Sequence, residues 1–335
     1  MSTATPEPAS RPPEDRSITE PRLQHVPLGA FAMVMGLAGT AGAWHLAGER
    51  WDLSPWVGRG VAVFALGVFA LAAVAYGAKA VRFPRVVASE WAHPVKAAFS
   101  ATIPVSLLVL AIAFKDWEPG LAEALWWAGA VGLFLITLMV LRTWIHDAAV
   151  QPAHIHPAWF IPVVGNLVAP IAGVDYAPEP VNWYFFGVGI VYWAGLLPVI
   201  LTRLFTVGTL PARLAPTLAI LVAPPAVAAL AWNRLGGSWD DPFSRILVGV
   251  MTLQVLLLAV QANTLMRTPF AISSWAYSFP LAAASSAYLS SSLHGGFDYN
   301  WGAGVMIAAT TAVVAALLIR TSLAARRGAI CQPEG

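Results

Sequence analysis

The sequence predicts an all-α integral membrane protein of ten transmembrane helices, and three observations lead there. Of its 335 residues, 58% are hydrophobic and only 11% are charged, whereas a soluble domain is about half apolar and roughly a quarter charged. Apolar stretches of membrane-crossing length recur along the chain, and the loops between them carry most of the charges. The basic residues of those loops are divided unequally between alternate sides. A chain of this composition needs lipid as a solvent.

A helix rises 1.5 Å per residue, so about 20 apolar residues cross a hydrocarbon core of ~30 Å. The stretches are 28–47, 58–80, 97–114, 122–142, 157–173, 181–203, 212–232, 245–266, 271–292 and 301–323. Turn formers such as Gly236-Gly237-Ser238 and Gly295-Gly296 mark breaks between them. Prolines and small residues dilute the fifth and ninth stretches. Ahead of the first, residues 1–24 are polar, proline-rich and mixed in charge, and are expected to form a disordered cytoplasmic tail. That leader is long and partly acidic, unlike a cleaved signal peptide, so the first apolar run is expected to remain as a helix. Residues 25–325 are expected to form the transmembrane domain, and 326–335 a short cytoplasmic tail. The single cysteine, Cys331, lies in that tail, which leaves no intrachain disulfide and no indication of redox compartment.

With the N-terminus inside, fourteen Lys and Arg fall on the inner side, among them Lys79, Arg82, Arg85, Lys96, Arg203 and Arg213. Five fall outside: Arg50, Arg59, Lys115, Arg234 and Arg245. The positive-inside rule then puts both termini in the cytoplasm, and an even number of spans keeps the basic C-terminal end there too.

The odd-numbered stretches begin about 55–70 residues apart, which suggests five helical hairpins. Proline separates the two members of each. It lies inside the third (Pro104), fifth (Pro162, Pro170), seventh (Pro216, Pro224, Pro225) and ninth (Pro280) stretches. The first has Gly36, Gly39 and Gly42 instead, and of the even stretches only the sixth has a proline, Pro198. Proline removes a backbone donor and kinks a helix. The carbonyls it frees are tolerated in a membrane where they are buried in protein or face a water-filled cavity. Gly36, Pro104, Pro162, Pro216, Pro224 and Pro280 are therefore expected to bend an inner layer of five odd helices around a central pore, with even helices facing lipid. Proline is also common in membrane helices generally, which is the plainer reading.

No Asp or Glu lies deep in any stretch; the deep polar groups are neutral, such as Thr102, Thr137, Asn166, Gln254, Gln261, Ser278, Ser285 and Ser286. Proton-coupled pumps carry an intramembrane carboxylate or histidine relay, so this pattern favours passive conduction. Arg203, Arg213 and the other terminal basic residues are expected to snorkel. His146, His154 and His156 resemble the start of a metal site, but no cysteine or carboxylate cluster completes the four ligands zinc takes. They read as an interfacial inner loop, and no metal or cofactor is expected. Walker, dinucleotide and nucleophile-elbow motifs are absent from the sequence, so no enzyme activity is expected. Scattered basic residues form no nucleic-acid patch. Most tryptophans, including Trp51, Trp56, Trp117, Trp126, Trp127, Trp183 and Trp301, fall near stretch ends as an aromatic belt does.

Several motifs carry a resemblance. They are His93-Pro94 followed by Ile103-Pro104-Val105-Ser106-Leu107-Leu108, and Pro157-Ala158-Trp159-Phe160-Ile161-Pro162-Val163-Val164-Gly165-Asn166. Leu210-Pro211-Ala212-Arg213-Leu214-Ala215-Pro216-Thr217-Leu218, Ala223-Pro224-Pro225-Ala226-Val227 and Trp275-Ala276-Tyr277-Ser278-Phe279-Pro280-Leu281 follow. In order, they resemble the tellurite-resistance/dicarboxylate transporter family, which includes bacterial homologues of the plant slow anion channels. The resemblance implies five hairpins in quasi-fivefold arrangement, a homotrimer with one pore per protomer, and a phenylalanine on the ninth helix that occludes the pore. Phe279 matches that gate. The implied function is passive, gated transport of small inorganic or organic anions in the cell membrane. The alternative is a secondary carrier or exporter of C4-dicarboxylates such as malate, of sulfite, or of tellurium oxyanions. A non-transporting scaffold or sensor is the third reading.

Overall fold

A computed structural model of the chain describes residues 22–146, 151–295 and 299–330. It is 84% helix, with no strand among the described residues. The main helical segments are α1 (Leu28–Trp51), α2 (Trp56–Arg82), α3 (Lys96–Phe114), α4 (Pro119–His146) and α5 (Pro157–Gly173). They continue with α6 (Glu179–Thr206), α7 (Ala215–Arg234), α8 (Pro242–Val260), α9 (residues 272–294) and α10 (Asn300–Arg326). All but α5 and α9 are long and apolar enough to cross a membrane, eight helices among the described residues. A short helix, Pro84–Ala92, connects α2 to α3. Most of the expected N-terminal tail and Cys331 lie outside the described residues.

The odd segments differ from the even ones in how they start. Residues 28–31, 96–101, 157–159, 215–222 and 272–277 are 3₁₀ turns that pass into α-helix, and α5 contains a second 3₁₀ turn at 165–168. The even segments are unbroken α-helix over the ranges given. The prolines fall at the resulting junctions. Pro104, Pro162 and Pro280 are each third in an α-helical piece, Pro170 and Pro224 second, and Pro216 second in its 3₁₀ turn. In the first turn of a helical piece a backbone N–H has no intrahelical partner to lose, so proline fits there. The expected sharp bends are thus spread over 3₁₀-to-α transitions. Gly36 is different, since it lies inside the uninterrupted stretch Ala32–Trp51. A Cβ there would overlap Ser278 of α9, so Gly36 sets a close helix–helix approach and not a bend.

Side chains supply donors for carbonyls at these junctions. Thr102 Oγ1 donates to the Leu28 and Phe99 carbonyls, and Ser106 Oγ to those of Phe31 and Thr102. Thr137 Oγ1 reaches the Pro162 carbonyl at 2.6 Å, Trp126 Nε1 reaches that of Ala169 at 2.8 Å, and Ser278 Oγ reaches that of Trp275 at 2.6 Å. Asn166 Nδ2 donates to Thr137 Oγ1 and to the carbonyls of Pro162 and Val163. Most of the deep polar residues are therefore occupied in satisfying backbone, as a dry interior requires.

Packing separates two layers. In α1, α3 and α7, 61%, 72% and 72% of an apolar 18-residue stretch is buried, against 22–39% in the even segments. Contacts among odd segments run from α1 to α3, α5, α7, α9 and back to α1. Each even segment packs on the odd one before it.

Candidate functional site

Two cavities lie among the odd segments. One, of about 700 Å³, opens beside the N-terminal ends of α1, α3, α7 and α9; the other, of about 470 Å³, lies toward their C-terminal ends. Only Val168 of α5, Val227 of α7 and Phe279 of α9 line both. The two cavities therefore meet at one apolar level, where Phe279 is the only ring among the described residues that they share. Gly39 of α1 makes room for that ring: a Cβ at position 39 would stand 3.3 Å from Phe279 Cδ2. Pro280, in the following position, lines the larger cavity with Pro224. Gly36, Pro104, Pro162 and Pro216 line neither. Of the deep polar groups, Ser286 lines the smaller cavity, while the Thr102 hydroxyl in the larger one is already bonded to carbonyls.

Charges stand at the outer ends of each cavity. The larger is lined by Lys96, Arg213, His25 and Glu90. Glu90, on the short helix Pro84–Ala92, is neutralised from behind. It accepts from Lys79 Nζ at 2.7 Å and from Tyr76 Oη at 3.3 Å, and Lys79 also donates to the Val26 carbonyl. Lys79 is completely buried, so this pair fastens the short helix and the start of the chain beneath α2.

The smaller cavity is lined by His45, Glu49, Lys115, Asp116, Arg234 and His294, among others. His45 Nε2 lies 3.1 Å from Asp116 and 3.3 Å from Glu49, and Lys115 Nζ is 2.7 Å from Asp116. Burial acts to raise the Asp116 pKa, but hydrogen bonds from His45 and Lys115 outweigh it and hold the carboxyl down at about 2. Arg234 makes a two-oxygen ion pair with Asp175 at 2.7 Å and donates to the Ile171 carbonyl.

Sequence reasoning missed these ion pairs. The His45/Glu49 spacing of four inside an apolar helix was the available signal. His156 and Arg203, expected at the membrane interface, are covered by protein: His156 is completely buried and Arg203 is 5% exposed. Burial first, then the nearby Arg203 charge, push the His156 pKa down to about 4, against a weaker raising influence of the Val95 backbone. Among the described residues no group of three or more His, Cys, Asp or Glu is arranged to hold a metal ion.

Comparison with known proteins gives a consistent picture. A family model described as SLAC1, voltage-dependent anion channel, matches residues 25–322. The tellurite resistance protein TehA homolog of Haemophilus influenzae is 26% identical over 264 residues, covering 78% of this chain and 80% of that protein. The S-type anion channel SLAH3 of Arabidopsis thaliana is 26% identical over 274 residues, covering 80% of this chain and 43% of the plant protein. An uncharacterized transporter of Methanocaldococcus jannaschii is 30% identical over 224 residues, covering 60% of this chain and 66% of its own length. The chain thus spans less than half of the plant channel and just under two thirds of the archaeal transporter.

Proposed function

We infer the function from one premise: the chain belongs to the SLAC1 family of voltage-dependent anion channels. It is a membrane protein that transports small anions. Beyond that, we read it as a passive channel whose bore is the axis through the two cavities, closed at Phe279. The observation that carries this reading is that the two cavities, lined almost wholly by odd segments, share only Val168, Val227 and Phe279. A narrow apolar ring gates by excluding water.

On the same reading the ten segments all cross the membrane, as five hairpins in quasi-fivefold arrangement. The closed order of contacts among odd segments supports this. So does the length of α5. Seven of its residues are 3₁₀ and ten are α, and at rises of ~2.0 and ~1.5 Å they extend about 29 Å. Both termini face the cytoplasm of the plasma membrane, from the distribution of basic residues, and three copies assemble with a bore in each, as the resemblance implies. The domain limits 1–24, 25–325 and 326–335 are part of this proposal.

A second reading is a carrier of C4-dicarboxylates, sulfite or tellurium oxyanions. A bore shut between two cavities is also what a carrier presents between turnovers, and one relative is a tellurite resistance protein homologue. Reconstituted liposomes separate the two. A channel passes chloride, nitrate and malate in proportion to concentration and driving voltage. Saturation at millimolar anion, or an obligatory proton gradient, would reject the channel in favour of the carrier.

A further inference from the structure

At the end of the bundle that holds the starts of α3 and α5, side chains of α4, of α6 and of the turn into α5 carry unused donors. Trp144 of α4 stacks on Trp159 of α5, with centroids 4.2 Å apart and planes 13° apart. His156 lies three residues before Trp159, and the Trp159 N–H donates to the His156 carbonyl. Arg203 stands near the end of α6, which packs along α5, and its charge acts on His156. His156, Trp159 and Arg203 are 0%, 6% and 5% exposed. Both indole nitrogens and Arg203 Nε are buried without a hydrogen-bond partner among the described residues, and the His156 ring has the Val95 backbone beside it. Arg203 Nη1 reaches the Gly208 carbonyl at 2.9 Å, and no carboxylate pairs with this guanidinium among the described residues.

A buried polar group without a partner is costly, and a buried cation without a counter-charge more so. The character of these groups defines what is missing. Indole Nε1 and guanidinium Nε only donate, and neutral imidazole donates from one nitrogen. The absent partner is therefore an acceptor. Water would satisfy the indoles, but it would leave the guanidinium charge uncompensated. A phosphate-type oxyanion does both, and arginine is the side chain suited to it.

We propose that Arg203, Trp159, Trp144 and His156 form a binding site for a phosphate group, separate from the bore. The phosphate is either inorganic or the headgroup of an anionic phospholipid in the leaflet at that end. With the orientation proposed above, that leaflet is the cytoplasmic one. The site adjoins the transport path through one ring: Phe99, which lines the larger cavity, stacks on His156 with centroids 6.0 Å apart and planes 18° apart.

The test is binding to the purified full-length protein, with two ligands in separate arms. Calorimetric titration with sodium phosphate addresses the free anion. Native mass spectrometry after extraction from vesicles of phosphatidylglycerol or of phosphatidylcholine addresses the lipid. The wild type is expected to bind phosphate saturably or to retain phosphatidylglycerol in preference to phosphatidylcholine, and Arg203→Gln to lose that binding. Trp159→Phe keeps the stacked ring and removes one donor. Its affinity should fall about tenfold, as for a hydrogen bond to a charged group, and it decides the matter if Arg203→Gln does not fold. Absence of binding in both arms, or equal binding by the wild type and Trp159→Phe, overturns the proposal. Anion flux through the same preparations reports on the channel reading independently.

Discussion

Replacing Phe279 by alanine is the sharpest test of the closed-bore reading. The ring stands where the two cavities meet, with only Val168 and Val227 sharing that level. Truncation to a methyl group would join spaces of about 700 and 470 Å³ into one passage. An ion stripped of water in an apolar constriction loses several kcal/mol of solvation. Recovering about 2 kcal/mol of that lowers the barrier enough for a ~30-fold rise in rate. Chloride current in planar bilayers, at matched protein incorporation, should rise by that order for Phe279→Ala and by less for Phe279→Leu. Phe270→Ala, which alters the larger cavity alone, should leave the current unchanged. Phe279 is only partly buried, so the fold should lose less than the ~3–5 kcal/mol typical of a fully buried Phe→Ala change. Equal currents for wild type and Phe279→Ala would refute the assignment of this ring as the barrier.

Three further outcomes follow from packing and charge. Gly36→Val would overlap Ser278 and should cost about 1–3 kcal/mol; an unchanged melting temperature would remove the close approach of α1 and α9. Thr137→Val removes a donor from the Pro162 carbonyl and an acceptor from Asn166, for a loss of about 1–3 kcal/mol, read in the same melt. Asp116 is held at about 2, below the ordinary 3.8, so its bonds contribute stability above about pH 4 and lose it as pH falls toward 2. The gap in melting temperature between wild type and Asp116→Asn should therefore close across that window, and a gap independent of pH would reject the pairing.

The layering of the fold was legible because proline and glycine distinguish segments meant for the interior from those meant for lipid. What could not be read was how the prolines are accommodated. Pro104, Pro162 and Pro280 each follow the start of an α-helical piece by two residues, and nothing in the sequence separates such a junction from a mid-helix kink. Phe279 stands out in the sequence through a motif and a resemblance, whereas Val168 and Val227, which share its level between the cavities, look like any other core valine. Arg203 and His156 were misplaced for a related reason. A basic residue at a span end normally reaches for water, and only three-dimensional packing shows that this one is covered. Lys79 and Glu90 lie eleven residues apart across a turn that residue spacing alone does not reveal.

The thinness of the apolar level has an electrical consequence. Cavities far larger than the ~30 Å³ share of one water molecule can hydrate, and the high dielectric constant of water leaves little of an applied potential to drop within them. Nearly all of it then falls across one layer of side chains instead of a ~30 Å hydrocarbon core. An anion at Phe279 would be driven by most of the ~2.3 kcal/mol that 100 mV supplies per elementary charge. The ring itself, being uncharged, would feel none of that force. Any response of such a bore to voltage must then arise from the permeating ion at that layer.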